Sequence, residues 1–119
     1  MLRILVTDGM DKGAVQILKD MGHEVTEQFF ELEELKEQVK NFNVIIVRSA
    51  TKVRKEIIDE ALKTGNLKMI IRGGVGLDNI DVSYAESQGI KVRNTPKASS
   101  SAAGRGRQKN LILGIHQLS

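Results

Sequence analysis

Three glycines follow one another closely in Arg72-Gly73-Gly74-Val75-Gly76, directly after the apolar run Met69-Ile70-Ile71. A strand that ends this way bares successive backbone N–H groups, and glycine permits the φ > 0 conformations that aim such groups at one point. The chemistry expected here is capture of a small anion, with the amides around Gly74, Val75 and Gly76 as donors. Arg48 ends a second apolar run, Val44-Ile45-Ile46-Val47. Its guanidinium is therefore delivered at a strand end, where it can grip a carboxylate or phosphate through two parallel bonds. Ser49 and Thr51 would add hydroxyl donors. A structural use of Arg48, pairing with Asp8 or Asp78 to close the rim, stands beside this one. Arg72 is expected to be a surface charge or a pairing partner.

Other chemistries fit the residues less well. Gly74-Val75-Gly76-Leu77-Asp78-Asn79 approaches the dinucleotide fingerprint G-x-G-x-x-G, but Asn79 replaces the third glycine and the turn follows a fourth strand. An acid about 20 residues further on, needed for the ribose hydroxyl, is also missing. No dinucleotide cofactor is expected on this loop. Asp8 and Asp11 would suit the clustered acids of a phosphoacceptor receiver, yet the third strand ends in Arg48, whose charge has the wrong sign. The same two acids would repel a flavin phosphate. His23 and His116 have no partner at metal-ligand or triad spacing and read as ordinary histidines, and cysteine is absent. No catalytic or metal-binding residue is assigned.

The elements that must carry these residues follow from periodicity. Leu2 to Thr7 is an apolar run ended by Asp8-Gly9, and Ala14, Val15, Ile17, Leu18 and Met21 form a helical stripe ended by Gly22. His23 to Glu27 alternates as a strand. Glu31 to Asn41 is a surface helix with Leu32, Leu35 and Val39 on one face. Asn43 to Val47 is a buried strand, Val53 to Lys63 a third helix, Leu67 to Ile71 a fourth strand, Val82 to Gln88 a short helix, and Ile90 to Val92 a fifth strand. Strands alternating with helices imply βαβ units, a parallel sheet and right-handed crossovers. The fold class expected is an open, three-layer, flavodoxin-like α/β domain of about five strands. Asp8 to Asp11, Arg48 to Thr51 and Arg72 to Asp78 all leave carboxyl ends of strands and should share one rim.

Charge is unevenly placed along the 119 residues. Through Glu86 there are 12 basic and 15 acidic residues, whereas Ser87 to Ser119 holds 6 basic residues and no acid, for a total of +3. A cytoplasmic protein is expected, with no membrane partner, since no run approaches the ~20 apolar residues that span a bilayer. Gly104-Arg105-Gly106-Arg107 is short and lacks aromatics, so no nucleic-acid partner is expected either.

Val47-Arg48-Ser49-Ala50-Thr51-Lys52-Val53, Leu67 to Asp81, and Gly89-Ile90-Lys91-Val92-Arg93-Asn94-Thr95-Pro96 together resemble the substrate-binding domain of the D-isomer-specific 2-hydroxyacid dehydrogenases, nearest to the branch acting on 3-phosphoglycerate in serine biosynthesis. The likeness runs from Met1 to about Ala102. It implies a flavodoxin-like domain facing a separate nucleotide-binding domain, with substrate and NAD meeting between them. Arg48 and Ser49 would then contact the anionic end of the substrate, and the amides of Gly74, Val75 and Gly76 its carboxylate. The family's nucleotide fingerprint and its catalytic Arg, Glu and His have no counterpart here. The resemblance therefore implies a substrate half-site with no cofactor of its own, partnered by a missing nucleotide-binding domain and inactive alone. A non-catalytic module that binds small anions is the alternative.

Residues 103–119 depart from the family, either through truncation with a foreign tail or through a change of reading frame. They form a disordered basic segment or a docked short helix, because Leu111, Ile115 and Leu118 recur at i, i+4 and i+7. Such a stripe would cover apolar surface on its own sheet or on a second copy. On the docked reading, deleting Asn110 to Ser119 lowers the melting temperature or the solubility, which a thermal melt of the shortened chain checks.

Overall fold

A computed structural model describes residues 2–9, 12–73 and 76–95. Five strands form one sheet: β1 (Arg3–Val6), β2 (Glu24–Glu27), β3 (Val44–Val47), β4 (Met69–Gly73) and β5 (Lys91–Thr95). Their order is β2-β1-β3-β4-β5 and every pairing is parallel. Four helices connect them: α1 (Lys12–Asp20), α2 (Leu32–Gln38) with a 3-10 turn at Val39–Asn41, α3 (Lys55–Leu62) and α4 (Val82–Ser87). This is the flavodoxin-like order, and the expectation of a five-stranded three-layer α/β domain holds.

The central strands are apolar on both sides because both faces are covered. Leu5, Ile45, Val47, Ile70 and Val92 pack with Leu35, Ile57, Ile58, Ala61 and Ala85 from α2, α3 and α4. Ile4, Val6, Val44, Ile46, Met69 and Ile71 point to the opposite face, with Leu18 of α1. The period of two along each strand thus sorts one apolar run into two cores. At the sheet edge, no residue of β2 is fully buried.

Glycine ends two of the helices in the same way. Gly22 has φ +93° and donates to the Lys19 carbonyl at 3.0 Å, while His23 N–H reaches the Leu18 carbonyl at 3.2 Å. Gly89, with φ +87°, repeats the pattern with Glu86, and Ile90 with Ala85. Both are Schellman caps, which need the left-handed conformation at the first residue past the helix. His23 is buried and its Nδ1 accepts the Leu2 N–H at 3.1 Å, tying the end of α1 to the start of β1.

Several boundaries differ from the sequence reading. Val53 is not in the third helix; it forms an isolated parallel bridge with Ile80, and α3 begins at Lys55. Strand β4 continues through Arg72 to Gly73 and β5 through Asn94 to Thr95, in register with each other. A parallel ladder uses backbone groups that polar residues also possess, so an apolar run marks only the buried part of a strand. Leu32, Ile17 and Met21 belong to expected apolar stripes but are exposed. α1 buries only Ala14, Val15 and Leu18, and Leu32 is the first residue of α2, beyond the edge of the layer beneath it.

Helices α3 and α4 are tied by polar contacts. Asp81 accepts the Lys55 N–H at 2.7 Å, capping α3 from outside it, and its other oxygen meets the Arg54 guanidinium at 3.4 Å. The Tyr84 hydroxyl donates to the Asp59 carboxylate, and the Lys55 ammonium lies 5.3 Å from the centre of the Tyr84 ring. The hydrogen bond to Asp59 first, then burial and the carboxylate charge, raise the Tyr84 pKa above 10.0. A phenol that holds its proton more tightly when folded supports the fold at neutral pH and loses that support as the pH rises through the raised value. Tyr84 is the single tyrosine of the chain. Its phenolate absorbance should therefore titrate above 10.0, and Asp59→Asn should bring the midpoint back down.

Candidate functional site

Reversal of direction between β1→β2 and β3→β4 leaves a crevice at the carboxyl ends of β1 and β3, where open α/β sheets take ligands. The segment from Arg48 to Val53 crosses this crevice outside any ladder, so its backbone polar groups need side-chain partners. Asp8, just past β1, supplies acceptors. One carboxylate oxygen takes the N–H groups of Arg48 at 2.8 Å and Thr51 at 3.0 Å, and the other takes the Thr51 hydroxyl at 2.7 Å.

Asn79 supplies donors from the other side. Its Nδ2 donates to the carbonyls of Arg48 and Thr51, both at 2.6 Å, and its Oδ1 accepts from Arg72 Nε at 3.0 Å. Its backbone carbonyl accepts the Val53 N–H at 2.8 Å. Asn79 is buried, and no other side chain of its size offers two N–H donors and an acceptor together. The residue that fails the dinucleotide fingerprint is the one that holds the crossing segment against β4.

With its main chain fixed at both ends, Arg48 turns its side chain along the end of β4. A Cβ placed on Gly73 would lie 3.5 Å from both Cγ and Nε of Arg48. The guanidinium therefore stands beside Gly73. Among the described residues it forms no ion pair with Asp8 or Asp78. Asp8 meets Arg48 through the backbone instead, so the structural alternative takes a different form from the one expected. Ser49 is exposed next to it.

Two expectations are corrected. Thr51 is only 3% exposed and donates its hydroxyl to Asp8, so it offers no donor to a ligand. Neither Gly73 nor Gly76 has a positive φ, so neither uses the left-handed freedom expected of it, and a Cβ at Gly73 would make ordinary contact with the Arg48 side chain. Of the two roles expected for Arg72 it takes the pairing one: it is half-buried, with its Nε on Asn79 and Nη1 3.5 Å from the Gly73 carbonyl. Gly76 is half-buried with the Asp78 carboxylate 3.9 Å from its Cβ position. Gly74, Val75, Met10, Asp11 and residues 96–119, including Leu111, Ile115 and Leu118, lie outside the described residues.

The described residues do not fit a dinucleotide. The loop carries a carboxylate, Asp78, against Gly76 where a pyrophosphate would need donors, and Asn79 is committed to the crossing segment. Among them no cluster of three acids, histidines or cysteines could hold a metal, and no helix is long and apolar enough to cross a membrane.

Sheet order, crevice and strand-end arginine define a flavodoxin-like α/β domain with its ligand edge at the switch between β1 and β3. A family model described as "D-isomer specific 2-hydroxyacid dehydrogenase, catalytic domain" matches residues 4–104. The chain belongs to that family of oxidoreductases. It is 46% identical over 100 residues to a D-3-phosphoglycerate dehydrogenase of Methanocaldococcus jannaschii, covering 84% of this chain and 18% of the relative. It is 50% identical over 99 residues to a hydroxypyruvate reductase of Thermotoga maritima, covering 82% and 31%. The crystal structure of an NAD+-bound 3-phosphoglycerate dehydrogenase from Entamoeba histolytica superposes with TM-score 0.66 at 36% identity, over 80% of this chain and 33% of that one. The chain thus spans less than a third of the length of both curated relatives.

The sequence named Asp8 only as a side-chain partner for Arg48, not as an acceptor for its backbone, and did not single out Asn79. A usable signal existed: a segment between a strand and a helix with no ladder must be hydrogen-bonded by polar side chains from neighbouring strand ends. Asp8→Ala should cost about 2 kcal/mol, because it strands two N–H groups and a hydroxyl. Asn79→Asp should cost at least as much as Asn79→Ala, since it turns a carboxylate on two carbonyl oxygens. Urea unfolding of the three variants checks the order.

Proposed function

We propose that this chain is the substrate side of a D-2-hydroxyacid dehydrogenase and receives the anionic end of its substrate, 3-phosphoglycerate or a close relative. Supporting this is the position of the Arg48 guanidinium beside Gly73 at the switch between β1 and β3, unclaimed by any carboxylate among the described residues. The similarity to dehydrogenases and reductases of small 2-hydroxy and 2-keto acids supports the same class. In this reading Arg48 pairs with the phosphate or carboxylate in a two-pronged bond, the Ser49 hydroxyl adds a donor, and the amides of Gly74, Val75 and Gly76 hold the remaining oxygens.

What the chain's own residues do is bind and orient. A guanidinium and a row of amides fix the acid so that its reacting carbon faces out of the crevice, toward whatever supplies redox chemistry and a proton acceptor in the intact enzyme. NAD would be held outside the described residues, and these carry no base or acid for the hydroxyl proton. Without that second half, the chain is expected to turn over no substrate.

Titrating the chain with 3-phosphoglycerate while recording amide shifts tests the reading. Shifts should concentrate at Arg48, Ser49, Gly73 and Gly76. Arg48→Ala should weaken binding about tenfold or more, the scale of one lost charge-assisted bond. Shifts scattered over the surface, or an affinity indifferent to Arg48, would count against it.

A further inference from the structure

The amino end of β1 is held in part by a side chain. Leu2 lies one residue before β1, and its carbonyl accepts the Glu24 N–H at 2.9 Å, a backbone bond toward β2. Its own N–H goes to the imidazole of His23, where Nδ1 accepts it at 3.1 Å. The His23 N–H meanwhile closes the cap of α1 on the Leu18 carbonyl at 3.2 Å. One residue thus joins the end of α1, the start of β2 and the start of β1. The joint is covered, with Leu2 7% and His23 6% exposed.

An imidazole nitrogen accepts a hydrogen bond only while it carries no proton. With Nδ1 on Leu2, the neutral ring keeps its proton on Nε2, and acid must deliver the second proton to Nδ1. That would set N–H against N–H and place a cation in a covered site. A peptide N–H does not titrate, so the ring has to leave Leu2 before it can be charged. The charged groups on the three elements that meet here are Lys19 and Asp20 at the end of α1, Arg3 on β1 and Glu24 on β2. Glu24 lies 2.9 Å from the Arg3 guanidinium, and Asp20 accepts from the Gln16 side-chain amide at 2.9 Å. Each carboxylate therefore has a partner of its own, and Lys19 and Arg3 oppose a further cation.

This corner is also built to open by itself. Strand β2 lies at the sheet edge and pairs only with β1, none of its residues is fully buried, and α1 buries three residues, Ala14, Val15 and Leu18. We propose that His23 is a proton-operated latch on the corner: protonation at Nδ1 takes the ring off Leu2 and releases β2 and the end of α1 from the amino end of β1. The open form binds one more proton than the closed one, so the latch holds at neutral pH and weakens as the pH falls below about 6.5, by about tenfold for each further unit. β1 carries Asp8 just past its other end, so the latch and the rim share a strand.

His23→Asn in the full-length chain separates the proton from the hydrogen bond, because an asparagine Oδ1 stands where Nδ1 does and accepts without titrating. In the wild-type chain the ring-nitrogen shifts of His23 should report an unprotonated Nδ1 at neutral pH. Amide protection at Leu2 and Glu24, corrected for intrinsic exchange, should fall about tenfold relative to β3 and β4 between pH 7.5 and pH 5.5, one unit below the ordinary histidine value. The variant should keep its protection over the same range. A proton on Nδ1 at neutral pH, or an equal loss in both chains, overturns the proposal. If the variant does not fold, the wild type decides alone: a loss confined to residues 2 and 23–27 supports the latch, and a loss spread evenly over the sheet overturns it.

Discussion

One carboxylate holds the rim together. The segment between β3 and α3 has no strand beside it, yet it must carry Arg48 at a fixed height above the sheet. Asp8 takes two of its N–H groups and the Thr51 hydroxyl, and Asn79 answers with donors to the carbonyls of Arg48 and Thr51. The two side chains are complementary, one wholly accepting and the other donating both amide hydrogens, so the peptide groups of the segment are held from opposite sides. Because buried or half-buried backbone groups are costly to leave unpaired, this exchange decides where the segment sits.

Position of the guanidinium follows from that constraint. With the Arg48 main chain anchored to β1 through Asp8 and to the β4–α4 connection through Asn79, its side chain runs along the end of β4, beside Gly73. Arg72 is drawn in as well, its Nε on Asn79, so two arginines on adjacent strand ends do different work. One braces the amide that holds the loop. The other stays exposed at the crevice. Val53 and Ile80 extend the arrangement as a single parallel bridge, and Asp81, one residue on, caps α3. The candidate site and the start of α3 are thus fastened by three consecutive residues, Asn79 to Asp81.

Topology sets where such a rim can do chemistry. In the order β2-β1-β3-β4-β5 the chain reverses direction once, and helices flanking that reversal lie on opposite faces, leaving the carboxyl ends of β1 and β3 uncovered. The same reversal leaves one sheet face short of helices.

Apolar periodicity and the placement of Gly22 were enough to specify the five strands, the four helices, their parallel arrangement and the cap of α1, because burial on both faces and helix termination leave local marks in residue order. It also placed Arg48 and the glycine segment on a common rim. What it did not show is which polar residues serve the ligand edge and which serve the fold. Asp8, Thr51, Arg72 and Asn79 carry the same donors and acceptors whether they face a ligand or each other. Strand ends were misplaced for a related reason: Arg72 with Gly73, and Asn94 with Thr95, pair through backbone groups that hydrophobicity does not report. Only tertiary structure brings residues 8, 48, 51 and 79 within hydrogen-bond reach, and hydrogen bonds over separations of 28 to 43 residues have no signature in local spacing.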